Sequence, residues 1–257
     1  MRDFYKANYR PMAWRDTRDP YRIIVSEIML QQTQVSRVTE KYPQFIRRFP
    51  TLRSLARAKL SDVLAAWQGL GYNRRALYLK KLAQAVVIRH KGIIPRDRQA
   101  LEALPGIGKA TSASVLAFAF DSAHPFIETN IRSVFIHHFF PGKSAVADEL
   151  ILPLVEKALD RKDPRNWYYA LMDYGVHLKE RHGNPSRKSL HYKKQPPLAG
   201  SVRQARARIV RYLVDRPAAR REELLSVVPA KRQFAPALSG LVKDGMVRES
   251  RGRYRIS

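Results

Sequence analysis

From Pro20 to about Tyr174, apolar residues recur with the period of a helix, and the runs are cut by Gly and Pro at Pro50, Gly69 to Gly71, Pro95, Pro105 to Gly108, Pro141 and Pro164. The pattern predicts an all-α region of many short helices, among them Arg98 to Ala103 and Thr111 to Phe120. From His182 to Gly200 the chain mixes Pro, Gly, Ser and Lys without periodicity, which reads as a connecting strap and puts a domain boundary near Gly200. Beyond it, Ser201 to Leu213, Arg221 to Val228 and Phe234 to Lys243 are predicted helices, the last ending at the turn pair Asp244-Gly245. The final stretch, MVRESRGRYRIS, alternates residue types around Arg251-Gly252, as a β-hairpin does. Three helices and a hairpin make residues 201–257 resemble a small winged-helix α+β domain that binds DNA, the basic hairpin favouring this over the alternative of a helical extension that only packs on the main domain.

Composition sharpens this picture. The 257 residues are 45% hydrophobic, enough for real cores, yet they carry 48 Lys and Arg against 22 Asp and Glu, a formal net charge of +26. An excess of that size, spread along the whole chain, repels itself unless it meets a polyanion, which points to nucleic acid. There is no cysteine, so disulfides, thiolate nucleophiles and Cys-ligated metal clusters are excluded. The N-terminal residues lack an apolar segment and no stretch is long and apolar enough to span a bilayer, so no membrane partner and a cytoplasmic, nucleoid-associated location are expected.

Leu104-Pro105-Gly106-Ile107-Gly108-Lys109 lies between two predicted helices. Two glycines in such a turn allow a sharp bend and a close approach, and the following helix presents unpaired N–H groups to an anion such as a DNA phosphate. Lys109 adds a cation there.

Leu104 to Thr111, LPGIGKAT, resembles the helix-hairpin-helix of the endonuclease III superfamily of DNA glycosylases. Trp14 to Val35, with its SE-x-MLQQT core, is similar to the N-terminal signature of the MutY-type A/G-mismatch adenine glycosylases; Trp67 to Arg75, WQGLGYNRR, and Ala170 to Gly175, ALMDYG, match later blocks in order. The resemblance covers roughly residues 10 to 180. It implies a two-lobed glycosylase domain over 1–200, with a six-helix lobe at about 22–124 and a second lobe from 1–21 and 125–200.

Cutting an N-glycosidic bond needs a proton for the leaving base and negative charge beside the cationic sugar. Glu27 sits in an otherwise apolar helical stretch, where burial would keep it protonated, and it matches the family's general acid. Glu128, at the start of a predicted helix, matches a stabilising carboxylate that is normally Asp; it is also simply a good helix cap. Asn130 is a polar helper in the same turn. The resemblance further assigns DNA contacts to Gln31, Gln32, Thr33, Leu70, Tyr72, Gly106, Gly108, Lys109 and Thr111, with Tyr72 as a wedge into the base stack, and gives Trp14 and Arg15 to the base pocket. Leu70, Tyr72 and Trp14 read equally well as core residues.

Three departures shape the functional expectation. Where strand-cutting relatives carry a Schiff-base lysine, this chain has Ala110, so base removal without lyase activity is expected. The four-cysteine iron–sulfur loop of many relatives has no counterpart, the spacing of His177, His182 and His191 fits no common metal site, and residues 201–257 are too short for the 8-oxoguanine-recognition domain. No cofactor or metal is therefore expected. The sequence reads as a monomeric, monofunctional N-glycosylase acting on mismatched or damaged double-stranded DNA, adenine-directed, with thymine, uracil or altered-base excision from G mismatches as the alternative. A non-catalytic DNA binder on the same scaffold is the rival from another class.

Overall fold

The computed structural model describes residues 1–257. In chain order the helices are α1 (Arg2–Asn8), α2 (Pro20–Leu30), α3 (Val35–Arg48), α4 (Leu52–Arg57), α5 (Leu60–Ala66), α6 (Arg74–Arg89) and α7 (Arg98–Glu102). They continue as α8 (Lys109–Phe120), α9 (Thr129–Phe139), α10 (Asp148–Ala158), α11 (Pro164–His182), α12 (Val202–Val214), α13 (Arg221–Ser226) and α14 (Phe234–Lys243). The strands are β1 (Ala219–Arg220), β2 (Val247–Ser250) and β3 (Arg253–Ile256). Two compact units result: Met1–Glu27, Pro95–Ala103 and Ile107–Lys194 form the first, and Ile28–Ile94, Leu104–Gly106 and Gln195–Ser257 the second. These divisions cut the chain at other points than 22, 124 and 200; α12 packs on α5, which puts the C-terminal residues in one unit with 28–94.

The first unit is built around α8, which is buried continuously from Ser112 to Ala119 because its Ser and Ala positions let neighbours approach. It begins at Lys109, two residues before the expected Thr111, with Gly108 as its N-cap. Against it packs α11, whose start is fixed by Asp163 accepting from Asn166 N and by Pro164 at the first helical position. Gly175 in α11 sets the approach of α9: a Cβ there would lie 2.5 Å from the backbone oxygen of Asn130. The strap after α11 is held at its start, where the Lys188 backbone oxygen accepts from Val146 N at 2.8 Å and the Val146 oxygen from Leu190 N at 2.9 Å.

In the second unit, α3 buries Val38, Tyr42 and Phe45 from one face, and α4 and α5 pack on α6. Its C-terminal part follows the order α12, β1, α13, α14, β2, β3, with the antiparallel sheet in the order β1-β3-β2. The hairpin about Arg251-Gly252 falls where the alternation placed it, while α13 stops at Ser226, short of Val228. β1 was not anticipated, since two residues carry no readable period.

Candidate active site

Two hydrogen-bonded groups of the first unit, Glu27 with Ser114 and Glu128 with Asn130 and Lys179, each contain a bond that crosses a large distance in sequence, and the charge of Glu128 acts on Glu27. Glu27, near the end of α2, accepts a hydrogen bond from the Ser114 hydroxyl of α8 at 2.6 Å. The residue is half-buried, but its carboxyl is desolvated, and that burial raises its pKa to about 7; the Ser114 bond pulls it down and the negative charge of Glu128 pushes it up. At neutral pH a sizeable fraction of Glu27 therefore holds a proton. Ser114 also lies 3.0 Å from the Thr111 carbonyl oxygen. A hydroxyl has one hydrogen, so Ser114 can donate to ionised Glu27, or accept from protonated Glu27 while donating to Thr111.

Glu128 caps α9: its Oε1 accepts from Asn130 N at 2.7 Å and Ile131 N at 2.9 Å. Its Oε2 accepts from Asn130 Nδ2 at 3.2 Å, and the Asn130 Oδ1 accepts from Lys179 Nζ at 2.7 Å. Burial lowers the pKa of Lys179, with the charge of Glu128 opposing. Glu128 is thus both a cap and a fixed carboxylate close enough for its charge to act on Glu27. Sequence reasoning missed Ser114 and Lys179; neither stands in a motif, and each acts through a partner 87 or 49 residues away.

Trp14 is buried, and Arg15, expected in the base pocket, spends its guanidinium on Asp173 of α11 through two bonds of 2.8 and 2.9 Å. Arg10 donates to the same carboxylate at 2.6 Å, and Arg15 lies 4.5 Å from the Tyr169 ring centre. Asp173 lies within the ALMDYG block, a carboxylate among mostly apolar neighbours, and that is the signal in the sequence that points to it.

In the second unit one residue gathers two of the expected DNA-contact segments. Arg75, buried, donates to the carbonyls of Ile28, Met29 and Gln31, to the Thr33 hydroxyl, and to the carbonyls of Leu70 and Gly71. Its pKa falls to about 10 because burial outweighs everything else near it. Gln31, Gln32, Tyr72 and Gly106 line a cavity of about 620 Å³, together with Arg203 and Arg206 of α12. Gln32 and Tyr72 hold left-handed backbones at φ 54° and 50°, strained for side chains of their size. The Tyr72 hydroxyl accepts from Arg203 at 2.6 Å and from Gln195, whose amide also donates to Gln32 at 3.2 Å. Leu70, expected at the DNA surface, is instead only 3% exposed, because the Gly69–Gly71 turn folds it inward.

The hairpin turn separates the duties of its glycines. Gly106 has φ 85°, which demands glycine, and a Cβ there would crowd Tyr78 at 3.1 Å. Gly108 has an ordinary φ of −106° and nothing within 4 Å of where a Cβ would be; its exposed face, beside exposed Lys109 and half-exposed Thr111 in the first turn of α8, is open to an approaching group. No group of three or more His, Cys, Asp or Glu is placed to hold a metal, and no helix is long and apolar enough to cross a membrane.

The fold has close relatives of known structure. A solved thermostable thymine-DNA glycosylase superposes with a TM-score of 0.62 at 26% identity, over 72% of this chain and 87% of that one. That sets the class as the helical DNA-glycosylase fold. A family model described as HhH-GPD superfamily base excision DNA repair protein matches residues 25–163, and the chain belongs to that family. It is 40% identical over 132 residues to an adenine DNA glycosylase of Mycobacterium tuberculosis, a match that spans 51% of this chain but only 43% of that relative's length. It is 32% identical to an adenine DNA glycosylase of Mycolicibacterium smegmatis over 99% of this chain and 94% of the relative.

Proposed function

We propose that the chain removes a mispaired base from duplex DNA by hydrolysing its N-glycosidic bond, with adenine as the preferred base. The observation that carries this reading is the Glu27 carboxyl, held near neutrality by burial and bonded to Ser114, with Glu128 anchored at the N-terminus of α9. Protonated Glu27 gives its proton to a ring nitrogen of the leaving base, N7 in a purine. The C1′–N bond breaks with its electron pair on the base, and Glu128 faces the positive charge that develops on the sugar. Water adds its oxygen to C1′ and releases a proton, leaving a free base and an abasic site. Ser114 stabilises the Glu27 carboxylate left behind by donating to it. Asn130 and Lys179 hold Glu128 in place.

Ala110 offers no amine, and the neighbouring Lys109 points away by ~100° of helix rotation, so the product strand stays intact. In this reading Gln31, Gln32 and Tyr72, which line one cavity, prop the base left behind, while Gly108 and Lys109 take a phosphate. The likeness to a thymine-DNA glycosylase and the longer Glu128 in place of Asp favour a second reading, excision of thymine or uracil opposite G.

The test is incubation with duplexes bearing A opposite G, A opposite 8-oxoguanine, T opposite G and U opposite G, with and without alkali. The expected result is an alkali-dependent break at adenine. A break at T or U alone selects the second reading. Intact strands in all four duplexes overturn the enzyme, full activity of Glu27→Gln overturns Glu27 as its acid, and borohydride trapping of a protein–DNA adduct overturns the absence of lyase chemistry.

A further inference from the structure

The register of the C-terminal sheet brings like charges together. Arg248 on β2 stands directly opposite Arg255 on β3, and Arg253 stands opposite Ser250 on one side and Arg220 of β1 on the other. Directly paired residues share a face, and so do residues two apart on a strand, so Arg220, Arg248, Arg253 and Arg255 occupy one side of the sheet. All four are exposed, while Ala219, Val247 and Tyr254 on the other side are buried. None of the four makes a salt bridge: the ion pairs of this region are Arg74 and Arg206 with Asp244. Glu223 accepts from Arg220 N at 2.7 Å and from the Tyr212 hydroxyl at 3.2 Å, and it also feels the charges of Arg220 and Arg253.

Two arginines set face to face across a strand pair destabilise an isolated sheet, and this sheet repeats the arrangement at Arg253 and Arg220. The repulsion is relieved when an anion bridges the guanidiniums, each of which can grip a phosphate through two N–H groups. The face carries no apolar side chain to enter a bilayer, and its guanidiniums are spread over three strands of a sheet, as a row of phosphates requires. We propose that this arginine face is a DNA-backbone grip that binds undamaged duplex without regard to sequence, independently of the excision chemistry. It borrows from the proposed function only the identity of the polyanion.

The experiment measures binding of the full chain to a short undamaged duplex between about 50 and 200 mM salt, for the wild type, Arg248→Ser/Arg255→Ser and Arg253→Ser. The slope of log K against log salt is expected to shrink by about two for the double variant and about one for the single, with weaker binding uniformly across duplex sequences. Without DNA, the double variant is expected to melt at or above the wild-type temperature, because its like-charged pair is gone. Glu27→Gln is expected to keep the wild-type slope, so loss of catalysis and loss of grip are read separately. Unchanged slopes in both arginine variants overturn the proposal. So does binding to phosphatidylserine vesicles that falls in the double variant while duplex binding does not. A wild type with the expected slopes but no excision on any duplex would count against the glycosylase reading and leave the grip standing.

Discussion

Glu27 and Asp173 are two carboxylates of the same unit, each taken out of water, with opposite surroundings. Asp173 is met by two guanidiniums, Arg10 and Arg15, and its side chain has no exposure at all. Glu27 is met by one hydroxyl and by the negative field of Glu128. Desolvation is costly for both; at Asp173 it is offset by paired charge, and at Glu27 it is offset by holding a proton. The first arrangement fastens the N-terminal segment to α11, while the second leaves a transferable proton on the carboxyl. Burial of an acid thus says little about its task until its neighbours are known.

The widest separation between them should come from Glu27→Gln. Excision under single-turnover conditions is expected to fall by about 10² to 10⁴, the usual worth of a positioned acid. Stability should move the other way. The folded pKa of about 7 lies above the ordinary 4.5, so ionised Glu27 burdens the fold increasingly as pH rises from 4.5 to 7, by at most roughly 3 kcal/mol above that window, and not at all below it. Thermal melting should show the variant more stable than wild type at pH 8 and equal to it near pH 4; no difference at pH 8 would remove the argument for a proton-holding acid.

Asp173→Ala should do the reverse, leaving Arg15 buried without its partner and costing about 3–5 kcal/mol in urea unfolding. A loss below 1 kcal/mol would mean that the pair is not what fastens these segments.

Glu128→Gln divides cap from charge. The amide oxygen can still accept from Asn130 N and Ile131 N, so stability should change by less than about 1 kcal/mol, while excision drops by roughly 10² or more. Equal, small losses in both would leave Glu128 a cap and nothing else.

The smallest effect is expected from Ser114→Ala. Excision should decline as pH rises through about 7, where Glu27 gives up its proton. Because the Ser114 bond lowers that pKa, its removal should move the declining limb to higher pH, along with a modest fall in the maximal rate. A limb that stayed in place would show that the hydroxyl does not govern the proton.

Much of this was legible along the chain. The helix pattern, the Gly106 turn, the carboxylate in an apolar stretch at residue 27, the helix start at Glu128 and the terminal hairpin are all short-range signals, written in periods of two to four residues and in backbone preferences that act within a turn. What the sequence by itself determined was therefore which segments are helices, where they turn, and that an acid stands in an apolar stretch at residue 27. Only the tertiary structure decided that Ser114 reaches Glu27, that Lys179 supports Asn130, that Arg15 belongs to Asp173, that Leu70 turns inward and that Arg248 faces Arg255. Each of those depends on packing or strand register between residues remote or unpatterned in sequence, and desolvation, which sets the chemistry of Glu27, is a property of what surrounds a group and not of the group itself.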